Sequence, residues 1–269
     1  MKIRVRFEKT GPIRFVGHLD FMRTFQKILK KSGLDALYTA GFNPHILLSF
    51  ADPLGVGEES TCEYADIEFA YRDNAALTEQ ELYRLTDLGI DNEALPDPPA
   101  EDAFLRALNE AAPDGVRFTS AVRVGLIKGS KAMALVRAAS FLIPVADSFP
   151  CEAVNADLLE RFMLKDEIIV RKVTKKSEKD VDIRPEIREF RCMRPDEFPP
   201  FFEDDAYAKR SGLYLTCSAG SQGNLKPQTA VEALCAFGGI PCERNAYRLI
   251  RTGLYDAELR PLDADGTKF

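Results

Sequence analysis

The feature that most constrains this chain is an order of secondary-structure elements that occurs twice. Residues 2–8, KIRVRFE, put Ile3, Val5 and Phe7 on one side and Lys2, Arg4 and Arg6 on the other. That is the period of a strand with one face on a core and one in solvent. From Gly17 to Lys31 the period becomes helical. Leu19, Met22, Phe25, Ile28 and Leu29 share a side, Arg23, Lys27, Lys30 and Lys31 form a basic stripe away from it, and Gly33 stops the run. Three strand-forming segments follow, LDALYTA, HILLSFA and TCEYADIEFAYR. Helical patterns at 78–88 and 100–112 and a strand in GVRFTSAVRVGL close the first set.

The second set opens with a strand at 138–146 and a helix in CEAVNADLLERFML, with Asn155 as its N-cap. The strands EIIVRKVT and VDIRPEIREFRC are joined by the charged turn KKSEKD. A strand in GLYLTCSA, a helix in KPQTAVEALCAFGG with Pro227 in its first turn, and a strand in YRLIRTGLYD complete it. With the acidic stretch 73–100 set aside and the middle hairpin strands merged, each half has the βαββαβ order. The expectation is an α+β fold of two tandem ferredoxin-like units with mainly antiparallel sheets. Residues 1–128 form the first, with an acidic insert at about 73–100, and residues 129–269 the second. The repeat is one of element order, without sequence identity between the halves.

Charge distribution says more than the net charge of −6. Residues 1–50 hold nine Lys/Arg against three Asp/Glu, whereas residues 51–114 hold three against seventeen. A chain acidic overall can thus still present a basic face to a polyanion. The carboxylates of 51–114 read as a solvated acidic face. No apolar run is long enough for a membrane span, and the N-terminus lacks the apolar core of an export signal, so a cytoplasmic protein is expected. Six cysteines, at 62, 151, 192, 217, 235 and 242, include no CxxC pair, so free thiols are expected, with no metal site and no cofactor.

Three segments are candidates for function. The first contains both histidines of the chain, His18 at the start of the first helix and His45 after Pro44. Either suits general base chemistry near neutral pH; equally, His18 packs under its helix and His45 bonds a carbonyl. Around them, Arg14, Arg23, Lys27, Lys30 and Lys31 supply charge, Asn43 and His45 supply polar contacts, and Tyr38 and Phe42 supply rings for stacking on bases, with Phe50 expected in the core. The second segment is SAGSQGNLKP, where Gly220, Ser221 and Gly223 precede a helix start and Lys226 adds charge, an arrangement that suits an anion but also recurs for steric reasons alone. The third is the turn carrying Lys175, Lys176 and Lys179, a mobile basic tip or a solvated turn.

These residues carry a resemblance. KTGPIRFVGHLD, GFNPH, SFADPLGVG and EYADIE stand in order over residues 2–69, followed by VDIRPEI at 181–187 and GNLKP at 223–227. The set resembles the bacterial radical-SAM-linked family, a domain of unknown function found beside or fused to a cobalamin-type radical SAM protein. Where family members place a Pro-rich or basic residue after NPH, this chain has Ile46, and the 73–100 stretch is a local insertion. The architecture is also similar, more distantly, to the RAMP-superfamily endonucleases that process CRISPR RNA, in which a His near the first helix is the general base and a Gly-rich loop lies against RNA. The resemblance implies an RNA-binding accessory protein, itself non-catalytic, acting with a radical SAM enzyme in the modification of ribosomal or transfer RNA or in ribosome-linked processing. Two alternatives stand beside it: a metal-independent endoribonuclease with His18 or His45 as base, and a protein-interaction scaffold docking a basic partner on the acidic face.

Overall fold

The computed structural model describes all residues except 74–76, 127–129, 151–152, 174–177, 199–204, 208–210 and 244. Helices and mainly antiparallel strands mix in it as an α+β structure. The chain divides into two compact units, Met1–Val136 with Leu254–Phe269, and Arg137–Gly253. The sequence expectation placed the boundary at 128 and gave the C-terminal residues to the second unit. The difference arises because residues 254–269 are tied to the first unit by side-chain contacts that no sequence period announces.

In the first unit, β1 (Lys2–Lys9) is central, antiparallel to β3 (Glu59–Glu68) on one side and β4 (Val116–Val124) on the other. The short β2 (Leu48–Phe50) pairs with β3, giving the order β4-β1-β3-β2. Two helices, α1 (His18–Ser32) and α3 (Glu101–Ala111), lie between the strands in sequence; α2 (Glu79–Asp87) stands in the acidic segment. Residues Thr78 and Glu81 form a reciprocal cap on α2, Thr78 N–H donating to Glu81 Oε2 at 2.9 Å and Glu81 N–H to Thr78 Oγ1 at 3.3 Å. LDALYTA forms isolated bridges, Ala36 with Phe69 and Tyr38 with Ile46, in place of the expected strand. Its partner segment is too short and turned to sustain a ladder.

The apolar side of β1 carries the core. Phe7 meets Phe25 at 5.2 Å and Phe118 at 5.8 Å, and Phe25 meets Phe50 at 5.2 Å edge-on. Each such ring contributes roughly 1.5–3 kcal/mol by burial. The other side of β1 overturns the sequence reading: Lys2 and Arg4 are 3% and 2% exposed, so only Arg6 approaches the expected half-exposed state. Gly125 and Ser130, the latter just before the short α4 (Ala132–Leu135), bond them, as does the Leu262 carbonyl near the C-terminus. Tyr64 donates to Asp263 at 2.9 Å, and Phe269 packs edge-on against Phe104 at 5.5 Å.

In the second unit β5 (Ala138–Val145) is buried throughout and pairs antiparallel with β9 (Ser211–Ser218), which pairs antiparallel with β8 (Ile187–Cys192). The last strand, β10 (Ile250–Tyr255), neighbours β5 and leads the chain back to the first unit. Helices α5 (Ala156–Met163) and α6 (Pro227–Gly238) complete the unit; Asn155 caps α5 by accepting from Leu158 N–H at 3.0 Å. Between α5 and β8 stands a separate hairpin, β6 (Ile169–Val173) and β7 (Glu178–Asp182). VDIRPEIREFRC, expected as one strand, breaks at a 3₁₀ turn, Arg184–Glu186, because Pro185 removes a ladder donor. No helix among the described residues is long and apolar enough to cross a membrane.

Candidate nucleic-acid interface

The basic stripe lies on α1. Its inward residues are Phe21, Phe25, Ile28 and Leu29, which leaves Arg23, Lys27, Lys30 and Lys31 exposed on the other side. Only Asp20 answers them locally, accepting from Arg23 at 2.9 Å with both side chains about 70% exposed, a pair that water screens. Arg14, expected with this stripe, is instead half-buried. It contacts Glu59 at 3.3 Å, and Glu59 also accepts from Gly11 N–H at 2.7 Å. The Arg14 guanidinium lies over the Phe15 ring, 4.6 Å from its centroid, and Phe15 is 62% exposed. Leu19 and Val56 are exposed too, and Val56 lies beside Gly17 at the start of α1. Phe15 and its cation were not singled out by sequence reasoning; the available signal was an aromatic outside either strand or helix periodicity.

The five residues Gly41 to His45 make a tight turn. Gly41 has φ of 110°, a left-handed value that a side chain disfavours. Thr39 N–H donates to the His45 carbonyl at 2.8 Å, and His45 N–H donates to Thr39 Oγ1 at 3.1 Å. The His45 ring Nδ1 stands 3.2 Å from Thr39 Oγ1 and 3.4 Å from the Asn43 carbonyl, and the residue is exposed. Phe42 and Asn43 are exposed, Phe42 completely, and Tyr38 is partly so; Phe50 is buried in the core as expected. His45 borders a cleft of about 120 Å³ that also reaches Lys2, Glu68 and Lys131. His18 borders a separate, much smaller void with Lys9, Asp52 and Glu63, its ring edge-on to Phe50 at 5.6 Å. The two histidines therefore do not line one cavity.

Beneath the cleft is a buried charge network. Arg4 bonds both oxygens of Asp66, at 2.7 and 3.1 Å, and Ala132 N–H donates to Asp66 at 2.8 Å. Lys2 lies 3.6 Å from Asp66 and donates to the Gly125 carbonyl at 3.2 Å and Ser130 Oγ at 2.9 Å. Burial pulls the Lys2 ammonium below its ordinary pKa, partly opposed by Asp66. The strand register explains the matching: Arg4 faces Asp66 and Lys2 faces Glu68 across β1 and β3. Glu59, Glu63, Asp66, Glu68, Asp73 and Glu81 are all buried. Six of the seventeen carboxylates of 51–114 are thus interior, against the expected solvated face, while Glu79, Asp87, Asp91, Glu93, Asp97, Asp102, Glu110 and Asp114 are exposed as expected.

The second unit places its candidates differently. In the 218–227 loop Gly220 has φ of 90°, and Ser221 and Lys226 are exposed. Gly223 is pressed against the Glu186 carboxylate, where an added Cβ would lie 2.9 Å from Oε2, and that oxygen is buried without a hydrogen-bond partner. A carboxylate facing the loop repels a phosphate, so the anion-cradle expectation lacks support from this geometry. The motifs VDIRPEI and GNLKP meet here. On the β6–β7 hairpin, Lys172 stands directly across from Lys179, both exposed, with Val170 opposite Val181 on the same face. Arg171 pairs with Glu178 on the other face. Lys175 and Lys176 lie outside the described residues.

Among the described residues no group of three or more His, Cys, Asp or Glu side chains is placed to hold a metal ion. The five described cysteines are free thiols, with Cys62, Cys217 and Cys235 buried. Another cavity, about 750 Å³, is lined by Leu77, Leu82, Leu85 and Ile90 with Arg72 and Asp73. It shares no lining residue with the cavities of the two histidines.

Residues 2–93 and 90–227 match a family described as uncharacterized protein conserved in bacteria (DUF2344). The chain belongs to that family. The two matched stretches meet at residues 90–93, inside the acidic segment. No curated protein matches the chain.

Proposed function

We propose that this protein binds RNA without cleaving it, as the accessory partner of a radical SAM enzyme that carries the chemistry. The observation that carries the reading is the outer side of α1, where four exposed cations meet one exposed carboxylate, with the Arg14-backed Phe15 ring beside the helix start. Cations alone would suit any polyanion; an exposed ring stacked by a guanidinium adds a platform for an unpaired base. The like-charged pair Lys172 and Lys179 supports the same reading from the second unit, since like charges directly opposite each other destabilise a hairpin unless an anion lies between them. The strand order in each unit supports reading both as ferredoxin-like, and the sequence motifs support the radical SAM partner. Binding is favoured over hydrolysis because cleavage at a 2′-hydroxyl needs a base and an acid at one phosphate, whereas His18 and His45 border separate cavities. The interior placement of six carboxylates leaves less acidic surface for the scaffold reading.

The test is anisotropy of labelled single-stranded and structured RNA across salt concentrations. For three to four phosphate contacts, log K should fall with log salt at a slope of about −2 to −3. The double variant R23E/K27E should weaken binding and flatten that slope. Absence of salt-dependent binding, or binding unchanged in the variant, would refute the proposal.

A further inference from the structure

The cavity of about 750 Å³ in the first unit has no part in the RNA-binding reading. One of its walls is α2. Leu82, Leu85, Thr86 and Gly89 follow the spacing of a single helix face. The Thr86 hydroxyl is committed to the Leu82 carbonyl at 2.9 Å, so this wall is apolar, and Leu77 and Ile90 extend it on either side of the helix in the chain. The facing wall is held by hydrogen bonds. Asp73 N–H donates to Asn92 Oδ1 at 2.9 Å, and Asn92 Nδ2 donates back to the Asp73 carbonyl at 3.2 Å. Glu81, which accepts from Leu126 N–H at 2.8 Å, anchors the start of α2. The cavity is therefore framed before any occupant arrives.

Its available charge has one sign. The Arg72 guanidinium donates to the Glu93 carbonyl at 3.1 Å and faces Asp97 at 3.9 Å. The Asp73 carboxylate is paired with Arg123 at 2.6 Å. That leaves the carboxylates of Asp91 and Glu93, both exposed lining residues. Asp91 accepts the neutral N–H of Glu93 at 3.1 Å, and among the described residues no cation is paired with either carboxylate. An anion is disfavoured here, and a cation with an apolar side fits both the walls and the rim.

The cavity is an open groove. Leu82 is 49% exposed, and Thr86, Gly89, Asp91 and Glu93 are exposed, whereas a small-molecule site encloses most of its ligand. The wall is a helix, whose backbone groups bond within it, so an extended peptide finds no strand edge to join. Side-chain packing along the helix face remains, and a second helix can match it.

We propose that this groove docks a basic amphipathic helix of a protein partner, its apolar side on Leu82, Leu85 and Ile90 and its Lys or Arg residues on Asp91 and Glu93. The proposal goes beyond the RNA-binding reading and shares no residue with it.

The experiment measures anisotropy of three labelled helical peptides of about 14 residues on the full chain. Each carries Leu on one side; the other side is Lys, Gln or Glu. The Leu/Lys peptide should bind about tenfold more tightly than the Leu/Gln peptide, and the Leu/Glu peptide should bind least. Leu82→Glu, at a half-exposed position, should weaken the Leu/Lys peptide by about tenfold, with far-ultraviolet dichroism unchanged. Glu93→Lys, on the loop after α2, is the second variant should Leu82→Glu disturb the helix, and it should weaken binding several-fold. Glu110→Lys makes the same charge change on α3 and should stay within about twofold of the parent. Equal losses in Glu93→Lys and Glu110→Lys would reduce the binding to general charge attraction and overturn the groove. Equal affinity for the Lys and Gln peptides, or unchanged binding in folded Leu82→Glu, would overturn it as well. A dimer of the parent in sedimentation that Leu82→Glu abolishes would make a second copy of the chain the occupant and overturn the partner helix. RNA binding should be the same in Leu82→Glu as in the parent, so failure of the groove and failure of the RNA reading are separate results.

Discussion

Two strands with the same place in the two units are filled in opposite ways. In the first unit β1, KIRVRFEK, and in the second β5, AASFLIPV, each have neighbours on both sides, and both are covered on both faces over most of their length. β5 meets this with apolar side chains, its one polar group, Ser140, lying 3.0 Å from Thr252 Oγ1. β1 meets it with Lys2 and Arg4, neutralised by Asp66. The difference teaches that double-sided burial does not require an apolar strand. It requires that every buried charge find a partner of opposite sign and that the remaining N–H groups find acceptors.

The sharpest way to break the comparison is Asp66→Ala. It leaves Arg4 and Lys2 buried without their counterion, and urea unfolding should show a loss of about 3–5 kcal/mol. A loss near zero would mean that water reaches these cations and that the face is not sealed. By contrast, exchanging Lys2, Arg4 and Asp66 together for apolar residues of similar size turns β1 into a strand like β5. That variant should be as stable as the parent or more so, by up to about 4 kcal/mol.

In the second unit the largest effect should come from an apolar truncation. Leu215 on β9 is fully buried, and Leu215→Ala should destabilise by about 2–5 kcal/mol through lost transfer energy and the cavity left behind. Ser140→Ala should cost only about 1 kcal/mol, one hydrogen bond, if that side of β5 depends on packing more than on polarity.

Acid sensitivity sharpens the contrast further. The Arg191 hydrogen bond holds the Glu197 carboxyl at about 2, below its ordinary value near 4.5. A carboxyl depressed on folding contributes in full above its unfolded pKa and loses that contribution as pH falls toward the folded one. The stability advantage of the parent over Glu197→Gln should therefore shrink between about pH 4.5 and pH 2, followed by acid titration of both proteins. The smallest effect is expected for Phe42→Ala, whose ring touches solvent alone: thermal unfolding should stay within about 0.5 kcal/mol of the parent. A larger loss would give Phe42 a structural role and remove it from the binding surface.

Several features were legible in sequence because each depends on neighbours along the chain. The amphipathic period of α1, its stop at Gly33, the Asn155 cap of α5 and the start of α6 at Pro227 all appear where local pattern put them. The exposed stripe Arg23, Lys27, Lys30 and Lys31 followed from the same period. Arg14 did not, since its fate was set by Glu59, forty-five residues away. The strand read over LDALYTA failed because a strand needs a partner, and only two bridges were available. The 218–227 loop had the glycines of an anion cradle, yet Glu186 from a distant turn occupies its approach.

By itself the sequence determined most of the elements, their order and the cationic side of α1, because hydrophobic period and capping are short-range physics, although Leu19, read with the inward side, is exposed and Phe21 takes a core place. Only the tertiary structure decided which charges are surface and which are interior. Lys2, Arg4 and Asp66 look solvated in a linear pattern, and they become internal only when β1 and β3 register and Gly125, Ser130 and Ala132 bond to them. Burial of a charge depends on what lies across the fold, and a period of two along one strand carries no information about that.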